Sequence, residues 1–441
     1  MPDAGAERHW MEWFARLEGA RAEPTWVGAA RKAAIARFAE LGVPDRRHEE
    51  WKYTNAARIA KGPWRPAGEA ALMPDALATL GLGLDAAPHL CFANGRFAPR
   101  LSSRGALDAG VVASSFSALL ASRPDELEPY LGLPSALDDR AFAALVAAFA
   151  TDGAFVRVPR DLAVAQPIFV VFASVPEREP AAAHPRLVLV AERGSRATLV
   201  EVHVGLGGAP HLSNTLGEVV VGENASVEHV RLQLEGAGTT HLAHFHARVE
   251  RDGHFATRSV SLGAALARHD VAATLDGAGG ACSLDALYVA VDQHVDNRSN
   301  VDHRAPHTTS RELYKGILAG RSRGIFSGRV AVRPAAQKTD AQQRNANLLL
   351  SGEAEVDSKP QLEIEADDVK CSHGSTIGQL DAEALFYLRT RGVDERDARG
   401  MLTRAFAAQI TDALPVAALR ERVEHELDER LFGAARGGRA A

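Results

Sequence analysis

Cysteine is scarce in this chain: three occur in 441 residues, Cys91, Cys282 and Cys371, far apart in sequence. That spacing excludes a disulfide framework and a CxxC metal or redox pair, and a reducing cytoplasm is the economical expectation. Lysine is scarce as well, with 7 against 43 arginines, and the formal charge is -6. No basic field is available for nucleic acid phosphates or anionic lipid headgroups, so neither partner is expected. Long apolar runs are missing too. The segment Met1 to Arg21 interleaves Glu7, Arg8, Glu12, Arg16 and Glu18 with its apolar residues, so no export signal or membrane anchor is expected. There is no GxxxxGK[ST] loop and no GxGxxG between a strand and a helix, so any ATP dependence has to come from a partner.

What is present is an ordinary globular composition, 46% hydrophobic and 24% charged, in a chain long enough for two or three domain-sized cores. Helical spacing opens the sequence: Trp10, Phe14 and Leu17, then Ile35, Phe38 and Leu41, with breaks at Pro24 and Pro44. The stretch Gly62 to Pro88 reads as loop, Asn94-Gly95 between apolar residues reads as a hairpin, and Ala136 to Ala150 reads as a helix. From Phe155 the pattern changes to short β-type runs: Ile168–Phe172, Leu187–Val190, Thr198–Val204, Val219–Val221, Val227–Leu234 and onward past Tyr288 to Val330. Turn signals at Arg193-Gly194, Glu223-Asn224, Asp252-Gly253 and Gly279-Gly280 recur every 26 to 30 residues or so. A parallel β-helix spaces its turns this way, and so does a meander of antiparallel hairpins. After Gly378 the helical period returns: Ala382–Arg391 stops at Gly392, Asp394 can cap a helix bearing Leu402, Phe406 and Ile410, and Pro415 opens another with Leu419, Val423, Leu427 and Leu431. The tail Gly433–Ala441 is small and basic and expected to fray. The organisation expected is therefore a mainly helical region over 1–150, a β core over 151–377 and a helical region over 378–441.

Three clusters could carry chemistry. Glu363, Glu365, Asp367, Asp368, Lys370, Cys371 and His373 lie at the junction of the last β run with the C-terminal helices. On an extended backbone Cys371 and His373 share a face, as metal ligation or thiolate activation requires, although one thiol and one imidazole leave a metal under-coordinated unless a second chain completes the set. The bland alternative is a buried structural cysteine beside a surface histidine. The alternating Glu363 and Glu365 could bind a hard cation, but such carboxylates are more often simply solvated. The second cluster is His241-Leu-Ala-His244-Phe-His246; its HxH element is similar to that of the cupins, and a cupin-like metalloenzyme using His244 and His246 is the alternative function. The third, Asp302-His303 and His307 with Arg304 and Arg311, suggests acid–base work but has no nucleophile motif beside it.

Several segments together resemble one family, the SufB/SufD proteins of the SUF iron–sulfur cluster assembly machinery, and its SufD branch more than its SufB branch. They are Glu49-Glu50-Trp51-Lys52-Tyr53-Thr54; Ser310-Arg311-Glu312-Leu313-Tyr314-Lys315-Gly316; Phe326-Ser327-Gly328; Thr339-Asp340-Ala341-Gln342-Gln343; Asn347-Leu348-Leu349-Leu350-Ser351; and Lys359-Pro360-Gln361-Leu362-Glu363-Ile364 running on to Val369-Lys370-Cys371-Ser372-His373-Gly374. The resemblance implies a right-handed parallel β-helix between helical ends and a scaffold without catalysis of its own. It implies pairing with SufB through the β-helices and binding of the ATPase SufC through the C-terminal region, around Asp381 to Leu414. His373 and Cys371 match residues where a nascent cluster or its iron is held at the SufB interface, His373 being the better candidate ligand. No tightly bound cofactor is implied for the chain alone, only a transient cluster or iron; flavin binding is left open, as is a homodimer, or a SufB-like role, when the chain is alone.

Overall fold

A computed structural model describes residues 4–18, 23–70, 72–131 and 140–433. The early part of the Ala136–Ala150 helix reading and nearly all of the Gly433–Ala441 tail reading lie outside these residues. Helices Ala4–Glu18 and Thr25–Leu41 stand where the apolar spacing places them and bury Trp10, Trp13, Phe14, Ile35 and Phe38 with Phe142, Leu145 and Phe149 of the helix Ala141–Phe149. Asn94 (φ 49°) and Gly95 (φ 75°) form the tight turn of the hairpin His89–Ala93 and Arg96–Phe97. The loop-like stretch 62–88 contains a one-turn helix, Pro74–Ala78, beside irregular chain.

From Gly153 the chain winds as a parallel β-solenoid rather than an antiparallel meander. From Arg186–Ala191 onward each coil contributes one strand to each of two sheets, so strands adjacent in a sheet are two apart in sequence and run parallel. The N-terminal region joins the sheets as well, His89–Ala93 pairing with Ile168–Ser174 and Val112–Ser115 with Gly153–Val158. Because alternate residues of each strand point inward, the coils stack their Val, Leu, Ala and Phe side chains into one continuous core.

One corner of the coil explains the turn signals. A residue with positive φ recurs there in successive coils: Asp161, Gly194, Asn224, Asp252, Gly279, His307 and Lys338. Each donates its backbone N–H to a carbonyl of the following coil, from Asp161 to Arg193, through Gly194 to Glu223, Asn224 to Arg251, Asp252 to Ala278, Gly279 to Pro306 and His307 to Gln337, to Lys338 onto Asp368, at 2.7–3.2 Å. Glycine, asparagine and aspartate tolerate that conformation and announced four of the corners; His307 and Lys338 adopt it without a sequence signal.

The outer faces of the sheets are covered differently. The N-terminal helices lie over the first sheet, where Leu212 and Leu242 join their core. The helices Glu395–Thr411 and Ala417–Phe432 lie over the second, burying Ala407, Ile410, Leu419, Val423 and Leu427 against Val202, Val230, Leu232, Val260 and Ile317. Lys315 fixes this contact, its Nζ donating to the Phe406 carbonyl at 2.8 Å. Asp394 caps the first of these helices by accepting from the Asp397 N–H at 3.0 Å, and Gly392 (φ 87°) ends the preceding helix, Ala382–Thr390.

Candidate functional site at the open end of the solenoid

The last coil is formed by strands Glu355–Ile364 and Lys370–Gly378. Each pairs on one side only, with Arg323–Val332 and Asp340–Leu349, and among the described residues no strand covers the other edge. Pro360, which cannot donate to a ladder, is tolerated because it stands on such an edge. Cys371 and His373 lie on the inward-facing row of Lys370–Gly378: Cys371 registers with the buried Ala341 and packs on the central core, and His373 registers with the buried Gln343. The two side chains therefore share a face, as their spacing predicts, but differ in burial. Burial pushes the Cys371 thiol up, so it is not an activated thiolate as it stands, whereas His373 is exposed because no coil lies above it.

Beneath them the interior turns polar. Gln343 Nε2 donates to Glu312 Oε1 of the coil below at 3.0 Å. Ser375 donates to Ser358 at 2.7 Å, Ser358 to Asn345 at 2.8 Å and Asn347 to Asn345 at 2.7 Å, and Tyr288 donates to Asn347. Gly316 is required by this packing: a Cβ there would lie 2.5 Å from the Tyr288 ring and from Asn347 Oδ1. Glu312, Tyr314, Gly316, Gln343 and Asn347, scattered over three segments of the family resemblance, thus meet in one polar interior under His373. Sequence reading singled out none of them as interior residues.

The other acidic residues of the cluster are spent outside the solenoid. Glu363 accepts from Arg329 Nε at 2.8 Å, Glu365 pairs with Arg333 at 3.8 Å and Asp368 pairs with Lys338. The hard-cation reading of Glu363 and Glu365 is not supported by that arrangement. The acid–base cluster also disperses: Asp302 is held outside by Arg304 and Arg333, both at 2.8 Å, Arg311 pairs with Asp340 at 2.7 Å, and His303 points inward onto Thr308 and Ser310. Burial pushes the His303 imidazole down to about 4.

The cupin-like alternative is corrected by the topology. The three histidines lie on the parallel strand Thr239–Val249 of a solenoid, not on an antiparallel jelly roll. His241 faces the interior, 2.6 Å from Glu235, while His244 and His246 face outward under the N-terminal cap. His246 is hydrogen-bonded to Thr274 at 3.0 Å. Among the described residues no group of three or more His, Cys, Asp or Glu side chains converges to hold a metal.

The N-terminal motif closes the picture. Trp51 lies under the Arg268 guanidinium at 3.8 Å, Thr54 donates to Asp296 Oδ2 at 2.6 Å, and Glu49 pairs with Lys359 of the last coil. The two ends of the family signature are therefore in contact, the first clamping the coils that lead to the second.

Comparison with known proteins agrees with this architecture. Two family models cover nearly the whole chain, "SufBD protein N-terminal region" over residues 7–170 and "SUF system FeS cluster assembly, SufBD core domain" over residues 173–406. The chain belongs to the SufBD family of iron–sulfur cluster assembly proteins. Within that family it is 34% identical to the iron–sulfur cluster assembly protein SufD of Escherichia coli over 437 residues, 98% of each chain. It is 34% identical to a SufBD family protein of Synechocystis over 402 residues, covering 89% of this chain and 88% of the relative, and 24% identical to SufD of Bacillus subtilis over 428 residues, covering 93% and 95%. Among the described residues of this SufBD-family chain no helix is long and apolar enough to cross a membrane.

Proposed function

We propose that the chain is a non-catalytic scaffold of iron–sulfur cluster assembly, working as the SufD-type partner of a SufB-type subunit and of the ATPase SufC. The observation that carries this reading is the position of His373, exposed on the inward row of a terminal coil whose strand edges are unpaired. Such edges invite pairing with another chain, and a partner docked there would bring its own side chains over His373 and Cys371. Imidazole and thiol are suitable ligands for iron or a nascent cluster, and ligands from the second chain would make up the deficit left by these two alone. In this reading the helical region 378–441 receives the ATPase. Helix Ala382–Thr390 buries none of its residues and presents Phe386 and Tyr387, 70% and 57% exposed, an aromatic pair of the kind that anchors interfaces.

The test is co-purification of the tagged chain with the two partners, the mass of the intact complex, and cluster formation and ATPase assays on it. His373→Ala is expected to leave urea stability within about 0.5 kcal/mol, since an exposed side chain contributes little to the core, while cluster formation by the complex falls at least tenfold; undiminished cluster formation would reject the ligand role. Cys371→Ser should be milder. The double change Phe386→Asp, Tyr387→Asp should remove SufC from the complex without loss of fold or of the SufB pairing. Retention of SufC at wild-type stoichiometry would move the docking surface elsewhere.

A further inference from the structure

The seam between the N-terminal cap and the solenoid holds a partly open cavity of about 240 Å³, room for several water molecules. It is bounded by the C-terminal end of helix Thr25–Leu41, the turn Glu49–Trp51, the start of helix Ala141–Phe149, and the strands that carry His244 and Asp270. Part of the wall is apolar, from Leu41, Trp51 and Phe142. The remainder contains hydrogen-bonding capacity that the protein does not use.

His244 is 1% exposed, and among the described residues neither ring nitrogen has a hydrogen-bond partner. Asp270 is 2% exposed; Arg268 holds its Oδ2 at 3.2 Å and approaches Oδ1 as an ion pair at 3.1 Å, but Oδ1 accepts no hydrogen bond. Arg140, whose side chain is 12% exposed, leaves Nη1 without an acceptor. The separations of Asp270 from Arg140 and from His244 are 3.5 Å each, beyond hydrogen-bonding reach. A buried polar group left without a hydrogen bond costs about 1–3 kcal/mol, and here the His244 ring, Asp270 Oδ1 and Arg140 Nη1 line one cavity, the last two held by ion pairs alone.

Their chemistry specifies the occupant. Arg140 stands at the N-cap of helix Ala141–Phe149 without a side-chain capping bond, so its guanidinium and the first-turn N–H groups, which have no intrahelical acceptor, offer a seat for a carboxylate. Asp270 Oδ1 requires a donor. Burial lowers the basicity of His244, and a neutral imidazole supplies one donor and one acceptor. Arg140, Arg268 and Arg298 face Asp270 and Asp296 here, and the Glu50 carboxylate at the rim also acts on Arg268. At the rim Glu49 is paired with Lys359, and Glu50 gives its backbone carbonyl to Arg268.

We propose that this cavity binds a small carboxylate bearing an amino or hydroxyl group on the adjacent carbon, with Arg140 and the start of helix Ala141–Phe149 on the carboxylate and Asp270 and His244 on the neighbouring group. The occupant stands beside the turn that clamps the coils, and neither Cys371 nor His373 lines the pocket, so its binding can be tested apart from the cluster-ligand reading.

Equilibrium dialysis of the purified full-length chain with radiolabelled L-alanine, L-lactate and propionate tests this. Saturable one-to-one binding of alanine or of lactate is expected, with propionate, which lacks the donor, at least tenfold weaker; which of the two binds identifies the amino or the hydroxy acid. Arg140→Gln should weaken the bound probe at least tenfold. Absence of saturable binding of alanine and lactate up to about 10 mM, a concentration equivalent to a very weak complex, overturns the proposal, as does binding that Arg140→Gln leaves unchanged. Should that variant not fold, the unfolding midpoint of the wild-type chain decides, because a ligand of the native state raises it: a rise with alanine or lactate and none with propionate supports the site, and no rise overturns it.

Discussion

Replacing Arg268 by methionine is expected to cost the fold about 3–5 kcal/mol at neutral pH, the loss typical of removing one partner from a buried ion network. Arg268 is 1% exposed. Its Nη1 donates to Asp296 Oδ2 at 2.9 Å and to the Glu50 carbonyl at 2.7 Å, its Nε and Nη2 donate to Asp270 at 3.2 Å, and its plane covers Trp51. Methionine keeps much of the apolar stem and removes the charge, so Arg140 and Arg298 are the arginines left to Asp270 and Asp296, beside Thr54 and His244. The pH dependence has a definite sign. Burial by itself pushes the Asp270 carboxyl up, but the Arg268 and Arg140 guanidiniums outweigh it and hold the group well below the usual carboxylate range. A depressed carboxyl contributes stability that is present above its unfolded value of about 3.9 and is lost as pH falls through the folded value. The gap between wild type and Arg268→Met should therefore be widest near neutrality and shrink in acid. Urea unfolding at pH 7 and pH 3 measures it, and a difference under about 1 kcal/mol at pH 7 would refute the clamp.

Glu312→Gln should do the opposite, stabilising the protein by roughly 3–4 kcal/mol at pH 8 and hardly at all at pH 4. Glu312 is enclosed in the solenoid, where burial pushes its carboxyl up to about 7 against the smaller opposing effects of Ser299 and Gln343. Oε1 accepts from Gln343, while Oε2 has no partner. A raised carboxyl retains a proton that the unfolded chain has already released, so stability declines with a slope of about 1.4 kcal/mol per pH unit between about pH 4 and 7 and is level beyond. Glutamine keeps the acceptor for Gln343 and has no charge to bury. Parallel stability–pH curves for the two proteins would show that Glu312 is ionised freely in the native state.

Much of this architecture was legible in the sequence because it is local. Asn94-Gly95 dictates its own turn, Asp394 its own cap, and the glycine- and asparagine-bearing corners their spacing. The choice between solenoid and meander was not, since both satisfy the same alternation; the family resemblance carried it. Local reading also placed Cys371 and His373 on one face, and His244 and His246 on another. It could not say that the first face opens at the end of the coil while the second is roofed by helices about one hundred and two hundred residues earlier in the chain. The net of Arg268, Asp270, Asp296 and Thr54 depends on contacts across as many as 242 residues, and no period or motif encodes such a contact. His307 and Lys338 escaped notice for a different reason: neighbouring coils enforce their backbone, and side-chain type does not.

The corner column has an electrical consequence. Each peptide in it accepts from the coil before and donates to the coil after, so seven hydrogen bonds point one way, ending at the Asp368 carbonyl two residues before Lys370. Peptide dipoles of about 3.5 D aligned in this manner sum as they do in an α-helix. The peptides are spaced by the strand separation of about 4.8 Å rather than by 1.5 Å, which makes the terminal partial charge roughly a third of the half-charge at a helix end. Its positive pole lies at the open coil, beside the strand of Cys371 and His373, so the backbone itself biases that end of the solenoid toward anionic sulfur.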